Sequence, residues 1–256
     1  MPSAAEPQHD DHEIARALAE GAGALLVDLR TSLQARGAGQ REIKDAGDAG
    51  AHQWLMTELA RVRPDDAVLS EEGRDNRERL ACERVWIVDP LDGTREFGEG
   101  RDDWAVHVAL AIDGRPEIGA VALPGMGGTL FTGTAPIVPP KPDDRPVRVV
   151  VSRSRAPYVA HAVADALGAE FVAMGSAGAK AMAVVLGYAD VYVHAGGQYE
   201  WDNCAPAAVA LAAGLHATRI DGSPLTYNHA DPYLPDLLIC RPELAETALG
   251  ACVGLW

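Results

Sequence analysis

The sequence predicts an α+β protein in which helices and sheets lie in layers. Three observations predict it. Apolar residues recur at helical spacing near the start, short period-two runs follow in the first half, and strand and helix signals alternate in the second. The chain has 256 residues, 48% of them hydrophobic and 23% charged. That is enough to bury a sizeable core, as one domain or as two intimately packed halves.

Residues 1–11 read as a polar tail. From His12 to Arg30, the spacing of Ile14, Leu18, Leu25 and Leu29 predicts a helix. Residues 49–61 predict a second, opened by Asp48, with Trp54, Leu55 and Leu59 on one side. After the turn Pro64-Asp65-Asp66, Ala67–Ser70 is a short strand that ends in Glu71-Glu72-Gly73. Val85–Val88 is short and rich in β-branched residues, hence a strand, and it delivers Asp89 at its end. Trp104–Ile112 alternates large and small residues, which predicts a strand. Ile118–Leu123 and Thr129–Thr132 continue as antiparallel neighbours.

Residues 135–146 are proline-rich, which excludes a regular helix or a central strand. They divide a first half, 12–134, from a second, 147–256, within a single compact unit. The second half then alternates: strand 147–151, helix 156–167, strand 171–174, helix 178–187, strand 190–194, helix 204–213, strand 237–240 and a C-terminal helix. No internal repeat is visible.

Composition narrows the function. A net charge of −15 repels nucleic acid and anionic membrane surfaces, so an anionic ligand would need local positive charge such as a metal ion. Cys82, Cys204, Cys240 and Cys252 form no CxxC pair, which points to reduced thiols in a cytoplasmic protein rather than a zinc or redox motif. The N-terminus lacks an apolar signal segment, and no apolar run approaches the length of a membrane span. The eight histidines form no metal-binding motif, and His107 reads as a packed or surface strand residue. His194 lies near the acidic segments in sequence without further support as a binding residue.

The segment Asp89-Pro90-Leu91-Asp92-Gly93-Thr94 is the strongest chemical signal. Two carboxylates are forced together at a strand end, with Pro90 breaking the ladder and Gly93 permitting a sharp turn. Such a pair is costly unless a cation sits between them, and hard oxygen ligands, including the Leu91 carbonyl, suit Mg2+. The bland alternative is an Asx turn in which Asp92 caps Thr94. Glu71 and Glu72 could be solvated surface residues, and Asp48 and Asp202 could be plain helix caps. Ser176 reads as the cap of a helix with Lys180 on its first turn, an end that suits phosphate. Arg95 and Arg153 are further cations for a second phosphate or a base, or else ordinary surface arginines.

Taken in order, Leu69-Ser70-Glu71-Glu72, Trp86-Ile87-Val88-Asp89-Pro90-Leu91-Asp92-Gly93-Thr94 and Trp201-Asp202 resemble the inositol monophosphatase-like superfamily of lithium-sensitive, magnesium-dependent phosphatases. The resemblance runs from about residue 13 to 240. Thr94-Arg95-Glu96-Phe97, Ser152-Arg153-Ser154, Gly175-Ser176 with Lys180, Ser223-Pro224-Leu225 and Tyr227-Asn228 are similar to the CysQ branch, the 3′-phosphoadenosine 5′-phosphate phosphatases, and most to its actinobacterial members. The resemblance implies a layered α-β-α-β-α fold and, commonly, homodimers. It implies metal binding by Glu71, Asp89, the Leu91 carbonyl, Asp92 and Asp202, with Asp48 binding a further metal. Thr94 and Asp48 would orient an attacking water, and two or three Mg2+ ions would serve each site. The Gly93 and Thr94 amides would touch phosphate, with Arg95, Ser152, Arg153, Ser176 and Lys180 as further substrate contacts.

Two departures from the family pattern stand out. Only Lys44-Asp45-Ala46-Gly47 precedes Asp48, so a loop that the family carries there is expected to be shortened. Position 195, where inositol-specific members carry Glu, is Ala. The favoured reading is therefore hydrolysis of 3′-phosphoadenosine 5′-phosphate, or its 5′-phosphosulfate, in sulfate assimilation. The alternatives are inositol 1-phosphate or fructose 1,6-bisphosphate as substrate, and, in another class, a non-catalytic metal-binding regulatory protein.

Overall fold

The computed structural model describes residues 10–255. Of the polar tail read over residues 1–11, residues 1–9 lie outside the described residues. Asp10 and Asp11 do not belong to a tail: Asp10 accepts from the His12 N–H at 3.2 Å and caps helix α1, Asp11–Ala35. The second helix, α2, spans Gln40–Val62. It begins nine residues before the expected 49, so Asp48 lies inside a helix rather than opening one, and the stretch expected as a short loop, 44–47, is helical.

The first sheet has the order β1-β2-β3-β4-β5. Its strands are β1 Ala67–Ser70, β2 Arg84–Asp92, β3 Ala105–Ile112, β4 Arg115–Leu123 and β5 Gly128–Phe131. β1 and β2 pair in parallel and the rest antiparallel. A short helix, α3, Thr94–Gly98, follows β2. The second sheet has the order β7-β6-β8-β10-β9, from β6 Arg148–Ser152, β7 Glu170–Met174, β8 Val191–Ala195, β9 His216–Thr218 and β10 Asp236–Cys240. Its helices are α4 Tyr158–Leu167, α5 Ala177–Val185, α6 Glu200–Ala212 and α7 Ala245–Cys252.

Three apolar clusters define the layers. α1 and α2 cover one face of the first sheet, through residues such as Leu18, Leu26, Leu55, Trp86, Val106 and Val108. α5 and α6 fill the space between the sheets with Met182, Val184 and Val209, against Ile87 and Ala109 on one side and Tyr192 and Ile239 on the other. α4 and α7 cover the outer face of the second sheet. The order is α-β-α-β-α, as expected. The large–small alternation in β3 explains it. The larger residues meet α1 and α2, while Ala105, Ala109 and Ala111 leave room for the central helices.

Residues 135–146 carry no regular structure, as their prolines require. They are tied to the second sheet by Arg241, which donates to the Pro139 carbonyl at 2.8 Å, and by Arg145, which holds the fully buried Asp190 at 2.8 Å. β9, α3 and two single 3-10 turns escaped the sequence reading. All are three to five residues long, too short for a periodic signal.

Candidate active site

The parallel pairing of β1 with β2 sets Ser70 opposite Val88, and the Glu71 N–H continues the ladder to the Val88 carbonyl at 3.3 Å. Glu71 therefore emerges beside Asp89. β2 does not end at Asp89 as the sequence suggested. It runs on to Asp92 through a bulge against β3, where Asp89 faces His107 and Asp92 faces Ala105. The bulge is where Pro90, with no N–H to give, can sit in a strand. It turns Asp89 and Asp92 towards the same side. Gly93 follows at φ +88°, a conformation that favours glycine, and a Cβ there would lie 2.9 Å from Ser176 Cβ.

α6 begins at Glu200, earlier than expected, so Asp202 sits in its first turn rather than at its cap. Its Oδ2 accepts from the Tyr199 N–H at 2.6 Å, which aims the carboxylate at the strand ends. Asp89, Asp92 and Asp202 each present an oxygen within 4.8 Å of the others, the first two buried.

The electrostatics are those of carboxylates crowded together. Burial, then the charges of Glu71, Asp92 and Asp202, push the Asp89 carboxyl well above its ordinary value. Burial and the Asp92 charge raise Asp202 to about 6. Glu71 lies at the exposed rim, yet its carboxyl is raised to about 7, by desolvation against the site wall and by Asp202, Glu72 and Asp92. Its hydrogen bond with Asp89 opposes that rise. Asp92 behaves oppositely. Burial alone would raise it, but His107, Lys180 and the Gly178 N–H together hold it below the usual range. It accepts from the Ala177 and Gly178 amides at 3.1 and 2.6 Å, the free N–H groups at the start of α5.

His107 is fully buried and was not read as a site residue. Its Nδ1 lies 3.0 Å from the Trp201 carbonyl, which must accept, so Nδ1 carries hydrogen. Nε2 lies 3.2 Å from Asp92 Oδ2, close enough for attraction but too poorly aligned for a formed hydrogen bond. Burial opposes protonation of the ring, yet Asp92 outweighs it and the His107 pKa is raised. The one available signal was a lone polar residue on the small-residue face of a strand.

Asp48 reaches the site from α2. The Thr94 hydroxyl lies 3.1 Å from both Asp48 Oδ1 and the Leu91 carbonyl. Burial raises the Asp48 carboxyl to about 6 against the Thr94 hydrogen bond, with Glu72 and Asp45 adding to the rise. His52, one turn after Asp48, meets Ser70 Oγ at 3.0 Å and ties this face of α2 to the end of β1. Gly47 makes the approach possible, because a Cβ there would sit 2.8 Å from Phe97 and 2.9 Å from Leu91.

The expected substrate contacts differ in availability. Ser176 caps α5, accepting from the Ala179 N–H at 2.9 Å. The Lys180 ammonium is buried and donates to the Gly175 and Ser176 carbonyls, and burial lowers its pKa. Arg153 is held by Glu96 and Glu99 at 2.6 and 2.8 Å, and Arg95 by Glu99 at 2.9 Å. Ser152 lines a cleft of about 520 Å3 with Arg155, Pro157, Tyr158, Val159, His194, Ala195, Gly196 and Leu255. β7 and β8 both run parallel to β6. The cleft therefore opens at the same carboxyl edge of the second sheet from which α5 and α6 start, where open α/β sheets hold their ligands. A larger cleft, about 730 Å3, lies elsewhere, between β4, β9 and the far end of α6, and has no carboxylate cluster. Among the described residues no helix is long and apolar enough to cross a membrane.

The sequence pattern of the inositol monophosphatase family matches residues 8–136 and 142–251. A 3′-phosphoadenosine 5′-phosphate phosphatase of Mycobacterium tuberculosis is 51% identical over 248 residues, covering 92% of this chain and 90% of that protein. The 3′(2′),5′-bisphosphate nucleotidase CysQ of Escherichia coli K12 is 34% identical, covering 74% and 81%. Among solved structures, CysQ from Bacteroides thetaiotaomicron superimposes with a TM-score of 0.74 at 24% identity, covering 90% of this chain and 97% of that one. Inositol monophosphatase II from Staphylococcus aureus gives 0.75 at 21%, covering 93% and 91%.

Proposed function

This chain belongs to the inositol monophosphatase family and is a phosphoric monoester hydrolase, and on that premise we propose that it removes the 3′-phosphate of 3′-phosphoadenosine 5′-phosphate to give AMP. The observation that carries the hydrolytic reading is the convergence of Asp89, Asp92 and Asp202 within 4.8 Å, with Asp48 and Thr94 beside them.

These residues fit divalent metal ions. The donors are all hard oxygens, and the Asp89 and Asp202 carboxyls are both raised by burial and by the charges of their carboxylate neighbours. Asp89, Asp92, Asp202, Glu71 and the Leu91 carbonyl would hold two Mg2+ ions, with Asp48 the partner for a third. Bound there, Mg2+ supplies charge neutralisation and acidifies water.

The chain does the rest. Asp48 accepts hydrogen from Thr94, leaving the hydroxyl oxygen a fixed acceptor that orients the attacking water. As a base near neutral pH, Asp48 or Glu71 can take that water's proton. The Gly93 and Thr94 amides face the phosphate, and the α5 amides and His107 keep Asp92 ionised and fixed.

For the nucleotide, the cleft at Ser152 offers what a sugar phosphate does not need. It has room for a base, the aromatic Tyr158, and the His194 imidazole, which burial holds neutral with a pKa near 4. Arg155 has no carboxylate partner among the described residues and is the cation best placed for a second phosphate. Arg153 and Arg95 would first have to exchange Glu96 and Glu99 for it. Ala195 in that cleft leaves no carboxylate to grip an inositol hydroxyl. A cytoplasmic homodimer inhibited by lithium, active in sulfate assimilation, completes this reading.

One comparison tests it: kcat/KM for 3′-phosphoadenosine 5′-phosphate, inositol 1-phosphate and fructose 1,6-bisphosphate at one Mg2+ concentration. The nucleotide is expected to lead clearly. A preference for inositol 1-phosphate overturns the substrate assignment, and turnover that survives chelation overturns the metal.

A further inference from the structure

Arg79 is 1% exposed and plays no part in the chemistry above. It sits in the 3-10 turn Arg77–Ala81, just after the arm that carries Glu71. Its Nε and Nη2 donate to the two Asp75 oxygens at 2.7 and 3.1 Å. Nη1 donates to Asn228 Oδ1 at 2.8 Å and Nη2 to the His229 carbonyl at 2.9 Å. Asn228 Nδ2 donates back to the Arg79 carbonyl at 3.0 Å. Asn228 is held at φ +64°, in the left-handed region.

The network continues to the other half of the chain. The N–H groups of Asn228 and His229 each donate to one oxygen of Glu200, both at 2.7 Å, and His229 Nδ1 lies 2.8 Å from Oε1. Glu200 is fully buried and opens α6, two residues before Asp202. A buried carboxylate and a buried guanidinium are costly unless every polar atom is matched, and a matched network admits one arrangement. Here it fastens the Glu71 arm to the helix that carries Asp202.

We propose that Arg79 and Glu200 form a clamp that fixes the separation of the Glu71 and Asp202 carboxylates and thereby sets the affinity of the site for divalent metal. They are positioning residues and touch neither metal nor substrate. The proposal rests on the reading of the carboxylate cluster as a metal centre. The physical need is plain: Asp202 is repelled by Asp89, Asp92 and Glu71, and without a restraint the carboxylates relax apart.

The test is calorimetric titration of the whole, metal-free protein with Mg2+ alone, repeated with Mn2+, in the wild type and in Arg79→Lys, Glu200→Gln and the double variant. Residues behind metal ligands typically change affinity about 10–100-fold, and that weakening is expected in each single variant. The double variant should lose little more, since both residues act through one link. Glu200→Gln keeps the shape of the side chain and decides the matter should Arg79→Lys not fold.

Arg241→Lys, which loosens the buried Asp190 pair far from the site, is the control. It should lower Tm and leave metal affinity unchanged. Wild-type affinity in both clamp variants overturns the proposal, as does an equal loss in Arg241→Lys at matched Tm. A wild type that titrates no differently from Asp92→Asn overturns the metal-centre reading itself, and the clamp with it.

Discussion

Asp92 has three kinds of stabilising neighbour: the α5 amides, the His107 ring and the more distant Lys180 charge. Its carboxyl is held low where that of Asp89, also buried, is pushed well up. Asp92→Asn keeps the size and the amide contacts but removes the charge. Turnover is expected to fall roughly a thousandfold or more, with metal binding weakened and circular dichroism unchanged. Near-normal kcat in that variant would contradict the assignment. His107, which helps hold Asp92, could be read as a packed residue but not as a site residue, because its orientation depends on a carbonyl ninety-four residues away, at Trp201.

Helix α2 shows what an element's sequence can hide. Its first nine residues, Gln40–Asp48, were not read as helix, and Gly39, the helix's actual cap, makes no side-chain hydrogen bond to announce the start. The glycine at 47 is there for contact rather than for a turn. Gly47→Ala would drive a methyl against Phe97 and Leu91, an overpacking that typically costs about 1–3 kcal/mol. Because the same helix carries Asp48, kcat is expected to drop along with Tm. A Gly47→Ala protein that is more stable and fully active would show that the contact yields freely.

The strands were more legible than this helix. Period two marks β3, and short apolar runs rich in β-branched residues mark β1 and β2 with the acids that follow them. The bulge that turns Asp89 and Asp92 together needs the partner strand and could not be read from β2 by itself. Asp202 was found, but its role as a first-turn residue depends on where α6 starts, and Tyr199 carries no strong capping signal.

Over the whole molecule, the raised carboxyls make a statement about stability. Asp48, Asp202 and Glu71 titrate at about 6, 6 and 7, above their ordinary values of 3.8, 3.8 and 4.5. At these three groups the folded, metal-free chain binds more protons than the unfolded one between those limits, against the opposite contribution of His194, held down to about 4. Its stability therefore falls as pH rises through roughly 4 to 7. Carboxyls held low, such as Asp190 between Arg145 and Arg241, act only at lower pH, where their contribution is lost on acidification. The chelated protein should melt at a higher temperature near pH 5 than near pH 8, and Mg2+ should restore the loss at pH 8. A Tm of the chelated protein that rises between those two values would refute this account.

The proline-rich strap has an implication for how the chain is held as one body. It is largely exposed, with Ile137 93% open, and only the partly buried Val138 packs against the central core. That core is built from both halves, with α5 and α6 of the second covering the first sheet. Peptide-bond continuity across 135–146 should therefore matter to assembly but little to the assembled enzyme. A protease that nicks this stretch in the folded protein is expected to leave two fragments that co-elute and retain activity. Their melting would become dependent on protein concentration, since unfolding would then release two molecules in place of one. Fragments that separate without denaturant would show instead that the strap, and not the shared interior, joins the halves.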